Sequence, residues 1–308
     1  MITILGSGGA IANELSALLI ARGTPFRQVS RKAGGSKGAA ETIAADISDR
    51  DQAVRATAGS SVVFLLVGLK YDRRVWQETW PPIMANTIEA CKRAGARLVF
   101  FDNVYMYGRV RGAMTEETRY RPISRKGEVR AGIATSLEDA WKSGSLTAMI
   151  ARSADFYGPR AALGIPNTLF FEPFSKGQKA NCLISDFLPH SYTYVPDAAR
   201  ALLMLAETDS AWNQIWHLPT ASSPLSGGGF IEKAADAMGV KPKHRVLGRK
   251  MLRVAGWFNP MIREVNEMLY QNDSPYLFDS SKYARAFGFA GTSYGDGIRA
   301  TAAAYRAQ

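Results

Sequence analysis

The sequence predicts an α/β fold, in which helices cover both faces of a doubly wound parallel sheet. Two observations lead to this prediction. Apolar runs of strand length alternate with helix-periodic segments through the first half of the 308-residue chain. Two of the runs, SVVFLLVG (61–68) and RLVFFD (97–102), are almost continuously apolar, as expected of strands that are buried on both faces.

The predicted elements follow one another in a regular order. Strands are predicted at 1–6, 26–30, 61–68, 97–102 and 146–152, and helices at 11–22, 49–59, 82–95 and 127–141. We expect Gly95 to end the third helix, because glycine tolerates the left-handed backbone of a helix C-cap. The alternation indicates a Rossmann-like parallel sheet.

The rhythm changes after Gly158-Pro159. Residues 159–192 are irregular and rich in aromatic side chains, a helix (194–207) and a strand (214–219) follow, and 230–308 is mostly helical with loops. We therefore predict a nucleotide-binding domain of residues 1–158 with roughly 193–220. A smaller, discontinuous substrate domain would comprise 159–192 and 221–308.

Composition indicates an ordinary globular protein of a reducing compartment. Hydrophobic residues make up 46% of the chain and charged residues 21%, and no apolar run reaches membrane-spanning length. The two cysteines, Cys91 and Cys182, are far apart and lack metal-ligand spacing, so we expect buried free thiols and no metal site. The first residues run directly into a strand, so we expect no secretory signal and a cytoplasmic location.

The formal net charge of +11 indicates that the protein binds an anionic partner. The cations are spread along the chain, and the densest cluster is KPKHRVLGRKMLR (241–253). A solvated helix-and-loop face is the favoured interpretation of this cluster, with a nucleic-acid patch as the alternative. We therefore expect a small-molecule partner that carries phosphate, and neither a nucleic acid nor a membrane.

A glycine loop follows the first strand and opens the first helix. GSGGAI (6–11) contains Gly6, Gly8 and Gly9, followed by Ala10 and Ile11. Small residues allow the backbone to approach a pyrophosphate, and the helix start offers free N–H donors to it. The loop thus predicts a dinucleotide site.

The end of the second strand favours NADP over NAD as the cofactor. An NAD site needs a carboxylate there for the ribose 2′-hydroxyl, but the only acid between Gly6 and Glu41 is Glu14, inside the first helix. Arg31 and Lys32 follow the strand instead and suit a 2′-phosphate, unless they are simple loop charges. Asp46 and Ile47 would cover the adenine edge, although Asp46 could equally be a helix cap.

Further segments occur in a characteristic order. They are AADISD (44–49), FFDNVYMYG (100–108), IARSADFYGPR (150–160), YTYVPDAARA (192–201) and FDSSKYARAFGF (278–289). Together with the glycine loop they resemble the motifs of the extended short-chain dehydrogenase/reductases, which include NAD(P)-dependent sugar epimerases and dehydratases. The resemblance covers essentially the whole chain. The candidate cofactor contacts are completed by Val67, Gly68, Ser153 and Phe156.

The active-site motif departs from this family. Members carry Tyr-x-x-x-Lys at the start of the helix after the catalytic serine, but the matching window here is Lys126-Gly127-Glu128-Val129-Arg130. Lysine stands in the tyrosine position and arginine in the lysine position. The serine position is Asn103.

The substituted residues can still be given chemical roles. Arg130 would keep the cationic contact with the nicotinamide ribose, and the Asn103 amide would orient a substrate oxygen. Burial and the neighbouring Arg130 charge would disfavour the ammonium form of Lys126, which could then act as a proton donor or anchor an anion. Alternatively, Lys126 and Arg130 are plain helix charges. Tyr105 is the spare acid, unless it only packs in the core.

Two functions follow from these assignments. The favoured one is an NADP-dependent oxidoreductase or epimerase/dehydratase-like enzyme that uses Lys126, Arg130, Asn103 and Tyr105. The alternative is a catalytically inactive NADP-binding sensor or chaperone-like protein of the same fold. By resemblance, a homodimer would form through the helices at 82–95 and 127–141; a monomer is the other possibility.

Overall fold

The structure, a computed structural model, describes residues 1–32 and 38–307. The strands are β1 (Ile2–Leu5), β2 (Phe26–Ser30), β3 (Glu41–Ala44), β4 (Val62–Leu65), β5 (Arg97–Asp102), β6 (Ala113–Met114), β7 (Ala148–Arg152), β8 (Asp155–Tyr157), β9 (Ala180–Leu183), β10 (Pro189–His190), β11 (Tyr192–Tyr194), β12 (Ile215–His217), β13 (Leu225–Ser226), β14 (His244–Leu247) and β15 (Leu277–Phe278). The helices are α1 (Ala10–Ala21), α2 (Arg50–Thr57), α3 (Arg73–Ala94), α4 (Arg125–Lys142), α5 (Glu172–Ser175), α6 (Val195–Glu207), α7 (Gly227–Met238), α8 (Arg249–Phe258), α9 (Pro260–Asn266), α10 (Ser281–Phe287) and α11 (Tyr294–Arg306).

A seven-stranded sheet carries the fold, in the order β12-β7-β5-β4-β1-β2-β3. The pairs from β3 through β1 and β4 to β7 are parallel, which confirms the predicted Rossmann-like α/β class. The chain runs outward from β1 to β3 and then returns to β4 on the other side of β1. The carboxyl ends of β1 and β4 therefore flank a topological switch point, where open α/β sheets bind ligands.

The chain divides into two compact units. The first contains Met1–Gly108, Tyr120–Arg152 and Ala198–Trp216, and holds α1 to α4 and most of the large sheet. The second contains Arg109–Arg119, Ser153–Asp197 and His217–Gln308, with short two-stranded sheets and the later helices. Residues 109–119, which the sequence analysis assigned to the first domain, thus cluster with the second unit.

Within the first unit, α3 and α4 pack over the middle of the sheet. The core there contains Phe100 of β5, Trp80 and Ile83 of α3, and Ile133 and Leu137 of α4, all buried. This packing places the start of α4 close to the end of β5, where the motif residues lie.

Helix α3 begins nine residues earlier than the predicted start at residue 82. The Asp72 side chain caps it, accepting from the backbone N–H of Arg74 at 2.9 Å. Pro81 and Pro82, which favour a helix start in the sequence, lie inside the helix. The preceding turns are stabilised because Trp76 and Trp80, one turn apart, are both buried. Gly95 ends the helix in left-handed conformation (φ +63°), as predicted.

The edge strand β3 was not predicted. It pairs in parallel with β2, but most of its residues are exposed, so it lacks the apolar signal of a buried strand. None of the helices in the described part of the chain is long and apolar enough to cross a membrane.

Candidate functional site

The glycine loop lies at the switch point of the sheet. Gly6 has a φ of +95°, and a Cβ placed on it would lie 2.6 Å from the Cα of Val67, just beyond β4. Only glycine allows the two segments to approach this closely. Two predicted cofactor contacts, Gly6 and Val67, are thus neighbours, while Gly68 follows as an exposed residue.

The start of α1 is suited to an anionic group. Gly9 occupies its N-cap without a side-chain hydrogen bond, and the helix continues with Ala10 and the buried Ile11. Gly8, with a φ of +95°, has open space where a side chain would be. The buried Ser7 hydroxyl lacks a hydrogen-bond partner among the described residues. Open space, an orphaned hydroxyl and backbone N–H donors fit a pyrophosphate.

Arg31 and Lys32 are exposed directly after β2, where the sequence places them. The Ser30 hydroxyl donates to the Lys32 carbonyl at 2.7 Å and bends the chain at this point. Their predicted contact with a 2′-phosphate stays a prediction.

Asp46 forms a local turn and caps no helix. Its Oδ1 accepts from the backbone N–H and hydroxyl of Ser48, at 3.0 and 2.6 Å, and Asp49 caps α2 instead. These hydrogen bonds lower the pKa of Asp46 against the opposing effect of burial, and the Arg31 charge adds to the lowering. Asn86 of α3 donates to the carbonyl of Ile47 at 3.2 Å and fixes the segment.

Ser153 and Phe156 belong to the second unit. Ser153 is buried, and its hydroxyl donates to the Ala154 carbonyl at 2.6 Å. Phe156 is half-buried in β8, where it pairs with Thr193 of β11. Their cofactor contacts also remain predictions.

The start of α4 lies against the turn that follows β5. Ser124 caps the helix by accepting from the Gly127 N–H at 3.0 Å. A Cβ on Gly127 would lie 2.6 Å from the Tyr105 carbonyl oxygen, so glycine is required for this approach. In the same turn, Asn103 Oδ1 accepts from the Tyr105 N–H at 3.0 Å. The geometry thus brings Lys126, Asn103 and Tyr105 into one neighbourhood.

Lys126 is fully buried beside two phenols. Its Nζ lies 4.6 Å from the centre of the Tyr71 ring. The hydroxyls of Tyr71 and Tyr105 are 3.3 Å apart, and the Tyr105 ring stacks on Trp76 with a centroid separation of 6.0 Å. A cation over the face of an aromatic ring is favourable, and more so when water is excluded. Tyr71 was not predicted as a site residue, because it lies in an irregular loop without a motif.

Arg130 points into the protein interior. Its Nε donates to Asp102 Oδ1 at 2.6 Å, and its guanidinium lies 4.5 Å from the centre of the Trp80 ring. Both charged side chains are almost completely buried. The predicted ribose contact of Arg130 stays a prediction, while the partner that the structure assigns to it is a carboxylate.

A second arginine approaches the same carboxylate. Arg152 ends β7 opposite Asp102, and its Nε lies 3.6 Å from Asp102 Oδ2. Arg152 Nη1 donates to the Tyr107 hydroxyl at 2.7 Å, and Arg152 Nη2 donates to Tyr120, whose hydroxyl bonds Glu138. Asp102 thus organises a buried polar network, which the sequence concealed because the residue ends an apolar run.

The second unit contains a small cavity of its own. His190, Tyr192 and Cys182 are among its lining residues. His190 Nε2 lies 2.9 Å from Asp155 Oδ2, and its ring stacks on Tyr276 at 4.1 Å. Aromatic walls with a few polar groups are typical of small-molecule sites. Among residues 1–32 and 38–307, no three His, Cys, Asp or Glu side chains are grouped to hold a metal ion.

Known proteins share this architecture. Residues 2–217 match the model of the NAD dependent epimerase/dehydratase family. The fold is similar to that of the Thermus thermophilus UDP-glucose 4-epimerase in complex with NAD, with a TM-score of 0.80, 19% identity, and coverage of 99% of this chain and 98% of that one. It is equally similar to DesIV, the dTDP-glucose 4,6-dehydratase of Streptomyces venezuelae, solved with NAD and TYD, with a TM-score of 0.80, 17% identity, and coverage of 100% and 97%. No curated protein sequence matches the chain significantly.

Proposed function

The chain belongs to the NAD dependent epimerase/dehydratase family, and from that premise we propose that it is an NADP-dependent enzyme acting on a small carbonyl or sugar-nucleotide substrate. The observation that carries the proposal is the glycine loop at the switch point, where Gly6 touches Val67 and the uncapped start of α1 offers N–H donors. The structural relatives solved with NAD and nucleotide sugars support this substrate class.

Residues of the first unit would hold the cofactor. The Gly6–Ile11 loop would bind the pyrophosphate, and Asp46-Ile47 would border the adenine. Arg31 and Lys32, both exposed after β2, would pair with a 2′-phosphate. A bound nicotinamide supplies hydride exchange at a carbon atom. NAD is the alternative cofactor. Its ribose 2′-hydroxyl carries no charge, so it would not form ion pairs with Arg31 and Lys32.

Proton transfer is assigned to the cluster of Tyr71, Tyr105 and Lys126. A hydride acceptor needs a proton on its oxygen, and a donor must lie within hydrogen-bond reach of that atom. The Lys126 Nζ lies 4.6 Å from the centre of the Tyr71 ring, so it would stand beside the phenol that donates the proton. The 3.3 Å contact of the two hydroxyls then allows Tyr71 and Tyr105 to share the proton. Asn103 would orient the substrate oxygen through its amide.

Arg130 is a positioning residue in this scheme. Since Asp102 holds its guanidinium in the interior, it supports the turn after β5 that carries Asn103 and Tyr105. It therefore acts on the reaction through the geometry of that turn.

The burial of Lys126 and Arg130 also favours a second candidate function, a catalytically inactive NADP-binding sensor or chaperone-like protein. Both substituted motif residues have partners in the interior: Lys126 faces the Tyr71 ring and Arg130 pairs with Asp102. Such a protein would keep the cofactor site without turnover.

Cofactor binding and turnover test the proposal together. NADPH and NADH are titrated by fluorescence, and nicotinamide absorbance is followed with aldehydes, ketones and nucleotide sugars. We expect NADPH to bind about tenfold more tightly or better, a difference of about 1.4 kcal/mol. Arg31→Gln should remove this preference. Arg55→Gln, which changes an exposed arginine of α2, should preserve it.

Variants then separate the two functions. Tyr71→Phe and Lys126→Met should lower kcat by about 10² to 10⁴-fold at unchanged NADPH affinity, because they remove the proton-transfer cluster. Lys70→Met, in the same loop as Tyr71, serves as the control and should keep full activity. Tight NADPH binding without turnover of any substrate would support the sensor, and a stronger affinity for NADH would refute the assignment of Arg31.

A further inference from the structure

The outer face of the α8–α9 hairpin in the second unit exposes large apolar side chains. We call this surface the α8–α9 patch. Its members, with their exposed fractions, are Met251 (50%), Val254 (49%), Trp257 (74%), Phe258 (84%) and Met261 (55%). Neighbouring aromatic residues exposed to this degree are unusual on a folded surface and mark an interaction site.

Helix geometry gathers the patch into a stripe. Met251, Val254 and Phe258 are spaced three and four residues apart, so they lie on one side of α8. Leu252 and Gly256, on another side, are buried, and Leu252 belongs to a core cluster with Leu183 and Leu269 of the same unit. Helix α8 therefore has two apolar sides. One side packs against the core of the unit, and the other is exposed.

The hairpin is tightly packed, so the patch is held in place. Helices α8 and α9 are in close contact at Gly256, because a Cβ at that position would lie only 2.6 Å from Asn266 Nδ2. Asn266 donates to the Leu252 carbonyl at 3.0 Å. Asn259 caps α9 by accepting from the Met261 N–H at 2.9 Å. The outward apolar face is thus a property of the folded hairpin.

The segment of the chain that forms the patch is rich in cations. From residue 241 to 263 the chain has seven lysines and arginines and no aspartate or glutamate. Lys250 and Arg253 of α8 are exposed beside the stripe. The charge of Arg249, at the start of α8, is balanced by Asp273, whose Oδ2 lies 2.5 Å from Arg249 Nη2. The cations of 241–253 were predicted to form a solvated face, and the structure adds an apolar stripe to the same segment.

Contrary to the expectation from composition that the protein has no membrane partner, we propose that the α8–α9 patch binds the surface of an anionic phospholipid membrane, with Trp257 and Phe258 inserted among the lipid headgroups. An apolar stripe with tryptophan and phenylalanine, flanked by lysine and arginine, is the pattern of helices that lie in the membrane interface. The flanking cations then meet the negative surface potential of the leaflet.

The charges and side-chain types of the α8–α9 patch disfavour two other binding partners, a second copy of the chain and a single-stranded nucleic acid. A second copy of the chain would bring the same cation-rich surface against itself, which like charges oppose. A single-stranded nucleic acid would satisfy the cations and could stack on Trp257 and Phe258. Met251, Val254 and Met261 provide no flat ring for a base, whereas they insert readily among acyl chains.

Vesicle binding tests the inference. The full chain is sedimented with vesicles of phosphatidylcholine containing about one third phosphatidylglycerol, and with pure phosphatidylcholine. We expect at least tenfold tighter binding to the anionic vesicles, weakened by salt because the charges are exposed. The double variant Trp257→Ser/Phe258→Ser should lose at least tenfold of this affinity. Leu163→Ser, which removes an exposed leucine of the same unit outside the patch, should change nothing.

Insertion has a direct optical signature. Brominated lipids should quench part of the tryptophan fluorescence of the wild type, and Trp257→Phe should remove that part. The proposal is overturned if both kinds of vesicle bind equally or not at all, or if the double variant binds as well as the wild type. It also fails if a single-stranded oligonucleotide displaces the vesicles through the same residues, or if the patch forms a dimer that the double variant abolishes.

Discussion

At the scale of single residues, Asp102 is the carboxylate that balances two buried arginines. It is the anion between Arg130 and Arg152, and all three side chains are almost fully buried. A buried ion pair contributes little net stability compared with apolar residues, but removing one partner leaves the other charge uncompensated.

We therefore expect Asp102→Asn to lower the free energy of unfolding by about 3–5 kcal/mol, as measured by urea denaturation. Asp209→Asn is the control, since Asp209 is 98% exposed in its pair with Arg97 and should contribute at most about 1 kcal/mol. Equal effects of the two substitutions would contradict the assigned role of Asp102.

The same residues mark what sequence could and could not predict about the site. The order of the motifs depends only on spacing along the chain, and it predicted Asn103, Lys126 and Arg130 as site residues. Their roles stay predictions. The partner of Arg130 was not predictable, since Asp102 lies 28 residues away and ends an apolar strand. Tyr71 had no signal at all, because a loop tyrosine becomes informative only once Lys126 lies over its ring.

At the scale of elements, the start of α4 depends on glycine at one position only. The Tyr105 carbonyl blocks a side chain at Gly127, whereas Gly132, on the same helix, has open space around its Cβ position. The two glycines therefore form a matched pair for substitution.

We predict that Gly127→Ala destabilises the protein by about 1–3 kcal/mol, because a backbone carbonyl must move to make room. Gly132→Ala should stabilise it by about 0.5–1 kcal/mol through helix propensity. Thermal unfolding compares the two directly. A higher melting temperature for Gly127→Ala would show that α4 does not contact the 103–105 turn as described.

Elements also differ in how well sequence predicts them. The strand β4 and the middle of β5 were predicted because their consecutive apolar residues are buried. The start of α3 was misplaced because two prolines resemble a helix start, while burial of Trp76 and Trp80 extends the helix ahead of them. Tertiary burial of this kind is invisible to local patterns.

At the scale of the whole molecule, buried thiols make stability depend on pH. Burial raises the pKa of Cys91 from 9.0 to about 12. Above pH 9 the unfolded chain has therefore lost a proton that the folded protein keeps. The unfolded state then binds fewer protons, so stability falls as pH rises from 9 towards 12.

The expected slope is about 1.4 kcal/mol per pH unit from Cys91 within that window. Urea denaturation at pH 8 and pH 10 measures it. Cys91→Ala should reduce the loss between these two pH values by about 1–1.5 kcal/mol, whatever its effect on stability at pH 8. An unchanged pH dependence in the variant would indicate that Cys91 is not shielded from water.

The Asp102–Arg130 pair also constrains how this chain can be altered, by design or by descent. Exchanging Lys126 for tyrosine and Arg130 for lysine would produce the Tyr-x-x-x-Lys pattern that the resemblance predicts for this window, but a lysine ammonium lacks the planar set of donors that the Arg130 guanidinium presents to Asp102. The carboxylate would keep its contact with Arg152 and the hydrogen bond that it accepts from the Asn103 N–H. The Arg130→Lys step by itself would therefore weaken a buried ion pair and lower the stability of the protein.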